Sequence, residues 1–266
     1  MIIAVNNNKG GCLKTTVTTN LAGVMAKQGY KVLVVDADSQ SNVALSFGVN
    51  PDSLRTSLAD VLLDRVPAED AIVKVHANID ILPSNADLVD MEFKVIGNPK
   101  KFPKPFQIMK PALEHLNEKY DYILIDTPPS LGLIVGNAFA LADKVLIPFT
   151  PEYYSIRSLK AVVDTVNDFI EDHNENLDIL GILPTLVKPD TNLHQEILQQ
   201  TKKFAKNNEL YVFETYITNT IQFGNANRFH KTPASLVKKK KGYDKAELFV
   251  PVFEEIKTVM GKEAVR

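Results

Sequence analysis

Apolar residues fall along this chain in short continuous runs, separated by segments in which they recur at helical spacing. Met1–Val5, Lys31–Val35, Ile79–Leu82, Tyr122–Ile125, Lys144–Pro148 and Leu177–Leu183 are runs rich in Val, Ile and Leu. Runs without polar alternation suit strands buried on both faces, as in a parallel sheet covered by helices. Between them, Val17–Gln28, Ser57–Leu63, Ala68–Val73, Asp87–Ile96, Phe106–Lys119, Ile156–Ile170 and Leu193–Lys206 read as helices. In Ile156–Ile170, Leu159, Val162, Val163, Val166 and Ile170 mark one apolar face. Residues 98–105, with three prolines and three lysines, read as a loop. A last helix is expected over Lys245–Val259, with Leu248, Phe249, Val252, Phe253, Ile256 and Val259 on one broad face. Strand and helix alternate, so the expected fold is α/β: a mainly parallel twisted sheet with helices on both faces.

Composition narrows this picture. A chain of 266 residues with 45% hydrophobic content can bury a sizeable core, and no Gly/Ser/Pro-rich linker divides it, so one domain over 1–266 is expected. The single cysteine, Cys12, excludes an internal disulfide framework and a paired-cysteine metal site, and points to a reducing, cytoplasmic setting. No apolar run is long enough to span a bilayer and no signal peptide is read at Met1, which gives the same expectation. The net charge of -2 is unevenly spread: residues 1–187 hold 16 basic and 23 acidic side chains, residues 188–266 hold 14 and 9. A basic C-terminal portion suggests an anionic partner, nucleic acid first, against the alternative of a solvated face. Arg228 and the run Lys238, Lys239, Lys240 and Lys241 are the candidates; four adjacent lysines suit phosphate contacts rather than base reading.

Candidate chemistry concentrates at Asn8–Thr16. A strand, a glycine turn and a helix start follow one another there, the setting of a phosphate-binding loop. Gly10 and Gly11 let main-chain N–H groups approach phosphate oxygens; Lys14 adds full positive charge at a helix start; Thr15 can offer its hydroxyl to Mg²⁺. The general pattern G-x-x-x-x-G-K-[ST] would place glycine at positions 8 and 13, where this chain has Asn8 and Leu13. Two strands end in carboxylates, Asp36 with Asp38 shortly after it, and Asp126, where open α/β sheets bind ligands. Helix capping is the competing reading for Asp36 and Asp38.

Lys9-Gly10-Gly11-Cys12-Leu13-Lys14-Thr15-Thr16 resembles the deviant Walker A box, K-G-G-x-x-K-[ST]-T, of the ParA/MinD family of P-loop ATPases. Leu13 departs from it, since glycine is usual there. Val35–Gln40 resembles the family's V-D-x-D-P-Q segment, with Ser39 in place of proline, and Asp126-Thr127-Pro128-Pro129 its D-T-P-P segment. The layout is similar to small Soj-like members. The resemblance implies ATP and Mg²⁺ held by Lys9 to Thr16, with Lys9, Lys14 and Asp38 catalytic and Thr15, Asp36 and Asp126 around the metal. It further implies an ATP-dependent homodimer in which Lys9 reaches the partner's phosphates, non-specific binding to double-stranded DNA, and release when a ParB-like centromere-binding adaptor stimulates hydrolysis. Partition of plasmid or chromosome cargo, at the nucleoid, is the activity expected. Membrane positioning, as by MinD, and organelle positioning are the alternatives. Glu247, Glu254 and Glu255 on the last helix oppose stable association with an anionic bilayer.

Overall fold

The computed structural model describes residues 1–237 and 244–263. Its strands are β1 (Ile2–Val5), β2 (Val32–Asp36), β3 (Val73–His76), β4 (Ile79–Leu82), β5 (Tyr122–Asp126), β6 (Lys144–Phe149) and β7 (Asp178–Pro184). They form one sheet in the order β3-β4-β2-β5-β1-β6-β7. Every neighbouring pair is parallel except β3 with β4, so the expected parallel sheet is present with one antiparallel edge.

The helices are α1 (Lys14–Lys27), α2 (Asn42–Ser46), α3 (Leu58–Asp64), α4 (Ala68–Ala71), α5 (Met91–Ile96), α6 (Met109–Leu113), α7 (Leu133–Leu141), α8 (Ser155–Asp172), α9 (Asn192–Asn207), α10 (Gln222–His230) and α11 (Phe249–Glu263). Alternate strand residues feed two cores, because successive side chains point to opposite faces. Ile2, Ala4, Leu33, Val35, Ile123 and Ile125 meet α3 and the α6–α8 layer. Ile3, Val5, Val32, Val34 and Leu124 meet α1 and α11. Phe249, Val252, Phe253 and Ile256 of α11 are fully buried there, so the last helix spends its apolar face on the core. Among the described residues no helix is long and apolar enough to cross a membrane.

Four expected elements differ. In the helix expected over Asp87–Ile96, a 3₁₀ turn over Ala86–Asp90 precedes α5. The helix expected over Ala68–Val73 ends at Ala71, and Val73–His76 instead pairs with β4 as an edge strand. That segment alternates, Val73 and Val75 against Lys74 and His76, and the adjacent β4 supplies a partner for its main chain. The helix expected over Phe106–Lys119 breaks into a 3₁₀ turn, α6 and a second 3₁₀ turn, with Pro111 in the first turn of α6. The last helix likewise begins at Phe249, preceded by a 3₁₀ turn over Asp244–Leu248, with Pro251 in its first turn. Proline lacks an N–H, so it is tolerated where that donor has no intrahelical acceptor. Periodicity also missed α7, which is apolar on nearly every side and therefore shows no polar stripe.

Candidate active site

β1 lies between β5 and β6, so the connection that follows it opens at the point where the sheet's winding reverses. Ligands of open α/β sheets bind outside the carboxyl ends of strands at such a point. The loop of residues 6–13 leaves β1 there and turns into α1. Gly11 has φ 76°, a backbone state open to glycine, and a side chain added at Gly10 or Gly11 would meet nothing within 4 Å. That open cradle suits a phosphate. Leu13 caps α1 with φ 67°, so a leucine occupies a left-handed position that glycine usually fills.

The lysine of the loop is buried and directed inward: Lys14 Nζ donates to the carbonyls of Asn7 at 3.0 Å and Lys9 at 3.3 Å. Lys9 points the other way and forms an ion pair with Glu152, just beyond β6. Cys12 is buried; its thiol donates to the Lys9 carbonyl at 3.2 Å, and burial pushes its pKa up, which makes it a packing group rather than a reactive thiolate. Thr185, following β7, donates to the Cys12 carbonyl at 3.0 Å and ties the loop to that strand.

Asp126, at the end of β5, is fully buried, and its oxygens accept from Thr15 Oγ1 at 2.6 Å and Thr18 Oγ1 at 3.1 Å. Burial pushes its pKa up to about 6, although Thr15, Thr18 and Lys14 all favour the charged form. Asp36 stands opposite Asp126 in register. Burial and the Asp126 charge hold it well above the usual carboxylate range. Its two oxygens accept main-chain N–H groups of Asp38, at 3.2 Å, and Val43, at 3.0 Å. These two bonds tie Asp36, expected around the metal, to the turn into α2. Asp38 is half-buried and lines the cleft, with one oxygen accepting the Gln40 N–H at 3.0 Å.

The cleft has a volume of about 580 Å³. Gly10, Gly11, Lys14, Thr15, Thr16 and Asp38 line one side, and α2 and α10 close the other. From α10 come Gly224, Asn227 and Arg228. Asn227 donates to Ser46 Oγ at 3.3 Å and joins α10 to α2. Arg228, expected with the lysine run to meet an anionic partner, lines this cleft. Nothing in the spacing of residues 222–230 pointed to the cleft, because α10 reaches it only through tertiary packing. Lys238, Lys239, Lys240 and Lys241 lie outside the described residues.

The donor set fits a magnesium nucleotide. Thr15 and Asp126 supply hard oxygen donors side by side, and Mg²⁺ is commonly held by one or two protein oxygens plus phosphate and water. Among the described residues no three His, Cys, Asp or Glu side chains cluster as an all-protein metal cage.

Comparison with known proteins gives the same reading of this geometry. The AAA domain family matches residues 1–179. The Bacillus subtilis sporulation initiation inhibitor protein Soj is 33% identical over 85% of this chain and 87% of its own length. The Myxococcus xanthus chromosome partitioning protein ParA is 31% identical, over 86% and 79%. Among solved structures, the Mycobacterium smegmatis cobyrinic acid a,c-diamide synthase with bound ATP analogue and magnesium superposes with a TM-score of 0.80 at 30% identity, over 95% of this chain and 93% of that one. With the lysine-bearing loop, the buried Asp126 at its strand end and this extent of likeness in view, the chain belongs to the ParA family of P-loop ATPases.

Proposed function

We propose that this protein is an ATP-timed DNA partition switch: it binds Mg·ATP, dimerises, coats double-stranded DNA without reading sequence, and leaves DNA when an adaptor of the ParB type stimulates hydrolysis. A single domain over 1–266 carries the reading, with nucleoid-associated cytoplasm as its setting. The observation that supports it most is the Thr15–Asp126–Thr18 cluster beside buried Lys14, with a second lysine, Lys9, at the loop's entrance. Lys14 neutralises the β- and γ-phosphates, and the N–H groups of residues 10–16 cradle them. Thr15 and Asp126 would hold Mg²⁺, which supplies neutralisation of charge developing on the phosphates. Asp38 orients the attacking water. Lys9, freed from Glu152, serves the partner's phosphates as an arginine finger does, a contribution of about 10³–10⁵ in rate. Lys238 to Lys241 supply phosphate contacts to duplex DNA.

Membrane positioning is the weaker reading, since α11 buries its apolar face on the core. Sedimentation with ATP and a DNA duplex tests the proposal. Lys14→Ala is expected to lose nucleotide binding and remain monomeric. Asp38→Ala is expected to bind ATP and persist as a DNA-bound dimer. A monomeric Asp38→Ala with undiminished turnover rejects the assignment of roles.

A further inference from the structure

A second cavity, of about 720 Å³, opens between α3–α4 and the segment leading into α6. It shares no lining residue with the nucleotide cleft. Val61, Leu62, Phe102, Ile108 and Ala112 form an apolar floor. The rim carries three exposed cations, Arg65, Lys101 and Lys104. Lys101 pairs with Asp64 at 3.7 Å and its ammonium lies 5.3 Å from the centroid of the Phe102 ring, while among the described residues Arg65 and Lys104 have no ion-pair partner. The only carboxylate of the lining, Glu69, is already held by His115 at 3.0 Å. An apolar floor under a rim with two unpaired cations, Arg65 and Lys104, is complementary to a molecule with a hydrocarbon body and an anionic head. The volume is that of a small-molecule site. Arg65 ends α3 with φ 58°, a left-handed position that it shares with five other non-glycine residues among those described.

We propose that this cavity binds a soluble apolar-bodied carboxylate, its chain against Leu62 and Phe102 and its carboxylate between Arg65 and Lys104. The site is separate from the ATP switch and does not depend on that reading. Calorimetric titration of the full chain with decanoate, below its micelle range, tests it, with decanol and decylamine as the uncharged and cationic counterparts. Decanoate is expected to bind at one site and decylamine not to bind. Lys104→Ala is expected to weaken decanoate about tenfold, as loss of one charge-assisted contact does. Arg65→Gly is expected to do the same while leaving the melting temperature unchanged or higher, because glycine accepts the backbone that arginine strains. Ala112→Trp, with the fold checked by circular dichroism and ATP binding, is expected to abolish binding by filling the floor. Equal binding of decanoate and decylamine overturns the proposal, as does decanoate binding untouched by Arg65→Gly and Lys104→Ala. Failure of decanoate to saturate, or capture of the protein by phosphatidylglycerol vesicles in its place, also overturns it.

Discussion

Leu13 carries two opposing effects at one position. Its left-handed backbone costs about 1–2 kcal/mol for a residue with a Cβ, yet its side chain packs, half-buried, against the α1 core. Leu13→Ala loses the packing and keeps the strain, whereas Leu13→Gly loses the packing and relieves it. The glycine variant is therefore expected to be the more stable of the two by about 1 kcal/mol in urea denaturation. Equal stability would show that the loop, rather than the residue, bears the strain. Lys9 poses a different problem. Its pair with Glu152 lies at the surface, Lys9 partly and Glu152 well exposed, so Glu152→Gln should change stability by no more than about 0.5 kcal/mol. The same change frees Lys9 for a partner subunit, and the ATP-dependent dimer is expected at lower protein concentration in analytical ultracentrifugation. A weaker dimer would mean that Glu152 aims Lys9 rather than retains it.

At the scale of elements, six of the seven strands follow from runs rich in Val, Ile and Leu, which have few alternatives to burial in a sheet, whereas the alternating edge strand β3 does not. Nor do the breaks between helices, and Asn137 shows why. This asparagine of α7 is fully buried; its oxygen accepts from the N–H groups of Ile108, at 2.7 Å, and Met109, at 3.0 Å. Its amide nitrogen donates to the carbonyls of Pro105 and Leu133, at 2.8 and 2.9 Å. Helix ends leave such groups without partners, and here a side chain about thirty residues away in sequence supplies them. A periodicity reading could not see that partner and so drew one helix over Phe106–Lys119. Asn137→Leu leaves two buried N–H groups and a carbonyl unsatisfied, and is expected to cost about 2–4 kcal/mol. Urea denaturation reads the loss, and faster amide exchange at Ile108 and Met109 locates it.

For the whole molecule, the site carries a standing electrostatic penalty. The pKa of Asp126 rises on folding from 3.8 to about 6, because burial disfavours its charge. A carboxyl raised in the folded state favours folding while protonated, and that advantage is lost as pH rises from about 4 through 6. Above that window the nucleotide-free protein bears a penalty on the order of 3 kcal/mol, from 1.36 kcal/mol per pKa unit. Asp126→Asn cannot ionise. It is expected to exceed the parent in stability by about 2–3 kcal/mol at pH 7.5 in magnesium-free buffer, with the gain shrinking toward zero at pH 4. A gain independent of pH would reject the titration account. Much of this site was legible beforehand. Lys9, Lys14, Thr15, Asp38 and Asp126 all sit at the carboxyl edge of the sheet, where their strand-end positions implied. Asp36 was read by position too, but its two main-chain bonds to Asp38 and Val43 depend on how the following turn folds back.

The sequence by itself determined the class of fold, the loop and the carboxylates facing it, since these rest on local chemistry: strand runs, glycine backbone freedom and charge at strand ends. Only the tertiary structure decided which distant groups complete the site. Thr185 ties the loop to β7, Glu152 pairs with Lys9, and Asn227 and Arg228 of α10 close the cleft. It also joined residues 61–69 to residues 101–115 around a second cavity. Those contacts arise from sheet order and helix packing, which bring together residues that no local spacing relates.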